Sequence, residues 1–409
     1  MSHWVIVCLS GTLGADLLSN GDTDAFRPHH PQHDQYGAGK LLRISTLDRC
    51  PFVLSILALI LTFHLLPVAA GKPRPGKTIP SISIQSRIDN GPWRKSRAIY
   101  PMKGQEVVLR VKRIPGATVS WYRIIPDLST MYKNANFPWD KDPYKWAGLA
   151  KIKYKKKELP RFKGKWEIRP SHRSTDEEPR GRSWVQHLLM KRKPVESEYL
   201  HETVGSFWFQ VVVKKDGKTL RSYGIEDRDK RGLSPRVFRV SIRDGNGYLG
   251  YLTSFFNVPG LFGSIPYQSY NYIGADCADV LMAAYYRWRG IRMRKDWCVA
   301  AIVTKIPKVA SFDVARGKPK KKIKWGGTVK PGDLIAVRYS GRKQYQHIGA
   351  LYKDANRNGL LDGSDIVIHA GPRPLQYEFL REGGFDGHVV VLRLRGLLAR
   401  SAKPRRGSR

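Results

Sequence analysis

The chain has 409 residues, enough for two or three domains, and 72 Lys and Arg against 34 Asp and Glu give a formal net charge of +38. Hydrophobic residues make up 41% and aromatics 11%, which excludes a wholly disordered polycation and places the charge on the surfaces of a folded protein. Such a balance asks for a polyanionic partner: cell-wall polymer, anionic lipid or nucleic acid.

Residues 1–40 are polar and lack a sustained period. They read as a disordered or wrongly assigned start, although a tract such as Arg27–His33 can bind metal. Residues 41–70 read as an export signal: Arg43 and Arg49 precede an apolar run from Pro51 to Leu66, and small residues at −3 and −1 place cleavage after Ala70. The rival is an uncleaved anchor, but the run is short for a span, and Lys72, Arg74 and Lys77 follow it at once. A secreted, periplasmic or cell-envelope location follows, with no stable membrane span after cleavage. That compartment argues against nucleic acid.

Residues 71–80 form a Pro/Gly linker, and 81–243 carry mostly strand signals. Gln105–Val111, Ala117–Ile124 and Val237–Ile242 read as strands, while Ser206–Val213 and Thr219–Tyr223 meet at an Asp216-Gly217 hairpin turn. Short strands with an early Trp are analogous to an immunoglobulin-like sandwich, without its cysteine pair. The basic, aromatic-rich stretch 131–202 reads as an insertion, either a glycan or anionic-polymer contact or a solvated loop.

Residues 244–400 carry the chemistry, and 401–409 are a basic tail. Asp276 is a good helix cap, and Val280, Ala283, Ala284 and Arg287 follow at helical spacing. Cys277 then lies in the first turn, where unpaired N–H groups and the helix dipole favour a thiolate; the bland alternative is a small buried hydrophobe. Gln346–Tyr352 and Ile366–Gly371 read as strands bearing His347 and His369. A helix-borne cysteine with two strand-borne histidines suits a nucleophile, a general base and an orienting group. A Cys277–Cys298 bridge would disable that nucleophile. Lys318–Lys324 reads as a solvated basic loop and His388 as the start of a closing strand.

Between the histidine strands, Asp354–Asp365 places oxygen side chains at positions 1, 3, 5, 9 and 12, with Gly at position 6. This is the spacing of a calcium loop, with Asp354, Asn356, Asn358, Asp362 and Asp365 as side-chain ligands and Leu360 offering its carbonyl. The competing reading is a polar turn. The expected cation is a structural Ca2+ that does not touch substrate.

Four ordered motifs, Asp276-Cys277-Ala278-Asp279, Pro331-Gly332-Asp333-Leu334, His347–Tyr352 and Ile368-His369-Ala370, resemble those of the NlpC/P60 family of papain-like cysteine peptidases. The resemblance covers the last third of the chain and departs at Ala278-Asp279, where the family has Ser-Gly, and at the insertion between the histidines. It implies an α+β papain-like domain, with catalytic Cys277, His347 and His369. Tyr267, Asp276 and Asp279 would line the substrate site, and peptidoglycan would be the substrate. The expected function is an exported cysteine hydrolase cutting the stem peptide. The alternatives are an inactive, calcium-stabilised wall-binding or adhesion protein, and a thiol acyltransferase or lipid-directed amidase on the same scaffold.

Overall fold

Two large sheets and a buried helix that shares one apolar core with them make the framework of the computed structural model, which describes residues 80–134, 147–148, 152–170, 201–371 and 373–394. The segments expected to be a disordered start, an export signal and a linker up to residue 79, much of the 131–202 stretch and the C-terminal residues from 395 onward lie outside these residues. The class is mixed α+β, rich in sheet, with four α-helices among the described residues. None of those helices is long and apolar enough to cross a membrane.

The first sheet contains β1 (Ala98–Ile99), β2 (Thr118–Pro126), β3 (Tyr154–Glu158), β4 (Gly205–Lys215), β5 (Lys218–Arg221) and β6 (Phe238–Ile242), in the order β1-β6-β4-β2-β3 with β5 hairpinned onto β4. The Asp216-Gly217 turn closes that hairpin with both residues at positive φ, 47° and 71°, as a two-residue hairpin turn requires. Trp121 is fully buried, and its indole N–H donates to the Lys165 carbonyl at 2.8 Å, so the large ring enters the core without an orphaned donor. A separate three-stranded sheet, Gln85–Ile88, Val107–Arg110 and Glu167–Ile168, is interleaved with it along the chain.

Four helices follow: α1 (Tyr248–Thr253), α2 (Pro266–Tyr270), α3 (Cys277–Trp288) and α4 (Val299–Lys305). The second sheet contains β7 (Lys308–Ala315), β8 (Lys318–Pro319), β9 (Leu334–Arg338), β10 (His347–Lys353), β11 (Ile366–His369), β12 (Gln376–Phe379) and β13 (Gly387–Leu392). Its order is β8-β7-β13-β9-β10-β11-β12, and every pairing is antiparallel. Alternation along the strands splits its side chains between two cores. Leu334, Ala336, Ile348, Ala350 and Ile368 join the core that contains α3, whereas Ile335, Val337, Leu351 and Val367 join a second one around Phe385.

The boundary expected at residue 243 is crossed by one apolar core. Trp121, Phe207 and Val240 of the first sheet belong to the same cluster as Leu252, Leu281 and Ile348, and the described residues fall in one compact unit. Polar ties cross the same line. Ser206 Oγ donates to the Ser254 carbonyl at 2.8 Å, and the buried Arg239 guanidinium donates to the Asn271 carbonyl at 2.9 Å while stacking on Tyr272. α3 is accordingly buried on all sides rather than along one stripe: every residue from Cys277 to Tyr286 is buried, the polar Asp279 among them.

The Pro331-Gly332-Asp333-Leu334 motif acts as a clasp. Gly332 takes φ +88°, where a side chain would be strained, and its N–H donates to the Leu351 carbonyl at 2.7 Å. The buried Asp333 carboxylate accepts from the Lys330 amide and from Arg393 at 2.8 and 2.6 Å, which fixes the start of β9 to the residue just past β13.

Candidate active site

Asp276 starts α3 as expected: its Oδ1 accepts from the amides of Ala278 at 3.1 Å and Asp279 at 2.9 Å. Cys277 is the next residue, 1% exposed. Gly371, two residues past β11, lies against it; a Cβ on that glycine would sit 3.7 Å from the Cys277 Cβ. The backbone amides of Ile348 and Ala278 approach the sulfur. Cys277 and Cys298 are both free thiols, so no bridge disables the candidate nucleophile.

The two histidines meet. His347 Nε2 and His369 Nδ1 are 2.9 Å apart, with their rings edge-on at a centroid distance of 4.9 Å. The register explains this: Gly349 is the direct partner of His369, and His347 shares Gly349's side of β10. Gly349 must lack a side chain there, because a Cβ would come within 2.9 Å of the His369 Cβ. Both rings rest near Phe385, at 5.1 and 5.6 Å between centroids. His369 continues outward: its Nε2 is 3.0 Å from Glu378 Oε2, and Gln376 Nε2 donates to Glu378 Oε1 at 2.8 Å.

Cys277 reaches the same strand one peptide away. Ile348, whose amide touches the sulfur, follows His347 directly, but its side chain packs beneath α3 while the His347 ring lies on the Phe385 face. Among the described residues no hydrogen bond joins the thiol to His347, and His347 Nδ1 is left unengaged. Candidate pairs in a resting enzyme are often looser than in the complex. No protein-family model, curated protein or solved structure matches the chain.

The electrostatics differ from the helix-dipole expectation. Burial, then the neighbouring Asp276 carboxyl, push the Cys277 thiol well above its usual range, outweighing the two amides. Burial, then His369, hold His347 well below the usual histidine value. The resting pair is a neutral thiol and a neutral imidazole, not a thiolate–imidazolium pair. Alkylation of Cys277 by iodoacetamide should therefore be slow in mild acid and rise through the alkaline range; rapid labelling near pH 5.5–6 would refute the neutral-pair assignment.

The three residues expected to line the substrate site have other partners. Asp276 is spent on the helix cap. Asp279 is fully buried; its Oδ2 accepts from Ser264 Oγ at 2.8 Å, and its Oδ1 has no hydrogen-bond partner. Tyr267 packs against the small cluster of Tyr132, Ile152, Leu261 and Ile273, with Arg231 over its ring at 4.3 Å.

Burial, with Asp296 adding to it, pushes the Asp276 pKa up to about 7, against the lowering effect of the amides it caps. Asp279 is likewise raised well above the usual carboxylate range, by burial and by Asp276. A carboxyl raised on folding binds a proton that the unfolded chain releases from about pH 4, so its stabilising share is present below that pH and is lost as pH rises towards 7. Asp276→Asn keeps a competent cap. Relative to wild type, its melting temperature should improve steadily between pH 4 and 7; a constant difference across that range would contradict the assignment.

The Asp354–Asp365 loop closes on itself. Gly359 N–H donates to Asp354 Oδ2 at 2.9 Å, Leu360 N–H to Asn358 Oδ1 at 2.7 Å, and Asn358 N–H to Asn356 Oδ1 at 3.1 Å. The amide groups of Asn356 and Asn358 both donate to Asp362 Oδ2, at 2.9 and 2.6 Å. Asp365 is fully buried and spent on Trp325 Nε1, the Asp362 amide and the Ala355 amide. Asp354 Oδ1 is the buried loop oxygen with no partner. Among the described residues no group of three or more His, Cys, Asp or Glu is disposed to hold a metal ion.

Two features escaped sequence reasoning. Glu378 sits in Gln376-Tyr377-Glu378-Phe379, whose polar–apolar alternation is the one available signal of an edge strand. A second row, Ser311 Oγ to His388 Nε2 at 3.1 Å and His388 Nδ1 to Asp313 Oδ1 at 3.0 Å, crosses β7 and β13. It lies on the open, exposed side of that strand pair, where water competes with each bond, so it reads as surface pairing.

Proposed function

We propose that the protein is a cysteine hydrolase of amide bonds which, once exported, cuts the stem peptide of peptidoglycan. The observation that supports this most is the bonded pair His347–His369 on β10 and β11, with Cys277 meeting β10 at the adjacent peptide. Cys277 attacks the carbonyl carbon as its proton passes to His347 Nδ1. The tetrahedral oxyanion takes a hydrogen bond from the Cys277 backbone N–H, and His347 then protonates the leaving amine. Water, deprotonated by the same imidazole, hydrolyses the thioester and frees the acid. His369 holds the ring of His347 by accepting from its Nε2.

The architecture proposed for this activity is an immunoglobulin-like half joined to an NlpC/P60-like half. The net charge of +38 supports an anionic envelope polymer as the partner, and exposed lysines at 155–157 and 320–322 offer contacts. A second reading has an observation of its own. The enclosed, neutral thiol with no bond to His347 also fits a wall-binding protein that keeps the shape without the chemistry.

Purified peptidoglycan fragments separate these readings. Hydrolysis yields products carrying a new amine and a new carboxylate; fragments left unchanged but bound support the wall-binding protein. Transfer of an acyl group to an added alcohol or lipid instead of water identifies an acyltransferase.

For the loop we propose a structural Ca2+, supported by the order of its oxygen ligands and by the unpartnered Asp354 Oδ1. Binding requires Asn356 and Asn358 to turn their carbonyl oxygens inward and Asp365 to release Trp325. Added calcium should then raise the melting temperature by mass action and chelator should lower it. An unchanged melting curve in both, with no calcium by elemental measurement, makes the loop a polar turn.

A further inference from the structure

We infer that Glu378 is a positioning residue that fixes which nitrogen of each histidine carries the proton, an inference that rests on the cysteine-hydrolase reading above. Three bonds set the row. Glu378 Oε1 receives the Gln376 amide at 2.8 Å, and Oε2 faces His369 Nε2 at 3.0 Å. An ionised carboxylate can only accept, so His369 must carry its proton on Nε2. The neutral imidazole then presents a lone pair at Nδ1, the atom 2.9 Å from His347 Nε2. His347 must therefore donate from Nε2, which leaves its own lone pair on Nδ1. That is the nitrogen not engaged by His369 and the one that can receive the thiol proton.

The consequence is directional. With Glu378 in place, the row reads from His347 to His369 to Glu378, each N–H pointing outward to the carboxylate. Without it, the row can reverse: His369 donates from Nδ1 to His347 Nε2, and His347 then carries its proton on Nδ1. In that state His347 cannot act as base towards Cys277. During attack His347 gains a proton at Nδ1 and keeps its Nε2–H bond to His369; no proton passes to Glu378. The fold makes the bond short-range, because Glu378 and Gln376 share one side of β12, and Gln376 is the register partner of His369.

Glu378 differs from Cys277 and His347 in that it touches neither substrate nor sulfur, so its test needs a spectroscopic readout. Nitrogen-15 spectra of the full chain, recorded near neutral pH, distinguish protonated from lone-pair ring nitrogens. Wild type should show the Nε2–H form at both His347 and His369. In the near-isosteric Glu378→Gln, whose amide can either donate or accept, both histidines should show a mixture of forms, and in Glu378→Ala the preference should be lost. Turnover should fall by about 10- to 100-fold with KM little changed, since a misplaced proton removes the base and not the binding site. Circular dichroism shows whether each variant is folded. Unchanged histidine forms in both folded variants would overturn the inference, as would altered forms with unchanged kcat. The hydrolase reading fails separately, if Cys277→Ala turns substrate over like wild type; the nitrogen spectra still decide whether Glu378 sets the proton positions.

Discussion

Cys277→Ala is expected to lower amide hydrolysis by about 10⁴-fold or more while leaving the protein folded. Removing a nucleophile usually costs as much as removing the whole catalytic group. The structural cost should be small. The residue lies in the first turn of α3, alanine is the better helix former, and Asp276 still caps the Ala278 and Asp279 amides. Because burial keeps the thiol neutral, no charge is lost from the core. What is lost is a buried sulfur beside Gly371 and the Ile348 amide, worth about 1 kcal/mol of packing. Melting by circular dichroism should therefore move by only a few degrees. A folded Cys277→Ala protein with normal turnover would remove the cysteine from the mechanism.

Gly349→Ala is expected to be nearly as damaging to activity, for a steric reason. The added methyl would lie 2.9 Å from the His369 Cβ, 3.1 Å from the Ile368 carbonyl oxygen and 3.1 Å from Phe385 Cζ. Two of those three neighbours belong to β11, so the strand or the His369 side chain must shift. Overpacking of this kind costs about 1–3 kcal/mol of stability. The larger effect falls on His369, whose Nδ1 must stay within bonding distance of His347; a displacement near 1 Å can cost about 10²-fold in rate. Turnover down by about that factor, in a protein that still melts cooperatively, is the expected result. Unchanged kcat in Gly349→Ala would show that the histidine pair tolerates a shifted β11 and is not held for catalysis.

The parts of this arrangement that follow from local chemistry were legible in the sequence. The Asp276 cap, the strands bearing His347 and His369, the Asp216-Gly217 hairpin and the strand containing Trp121 all rest on patterns within a dozen residues. What depends on register and on the other half of the chain was not. Gly349 looks like an ordinary strand glycine until His369 is placed opposite it. Glu378 becomes part of the site only because β12 pairs with β11. The thiol expected to be activated by the helix N-terminus is pushed the other way, because α3 is enclosed on every side and two of its first-turn neighbours are acidic. Enclosure on that scale arises from a core shared across residue 243, where composition and turn signals suggest a boundary.

The proposed hydrolysis passes through a thioester on Cys277. The direct measurement is rapid acid quenching of wild-type protein mixed with purified stem-peptide fragments, followed by mass spectrometry of the peptide containing Cys277. The expected result is an adduct with the mass of the acyl portion of the substrate, carried on Cys277, lost on treatment with neutral hydroxylamine, and absent from Cys277→Ala. Hydrolysis proceeding with Cys277 unmodified, or with the acyl group carried on Ser311, would contradict it.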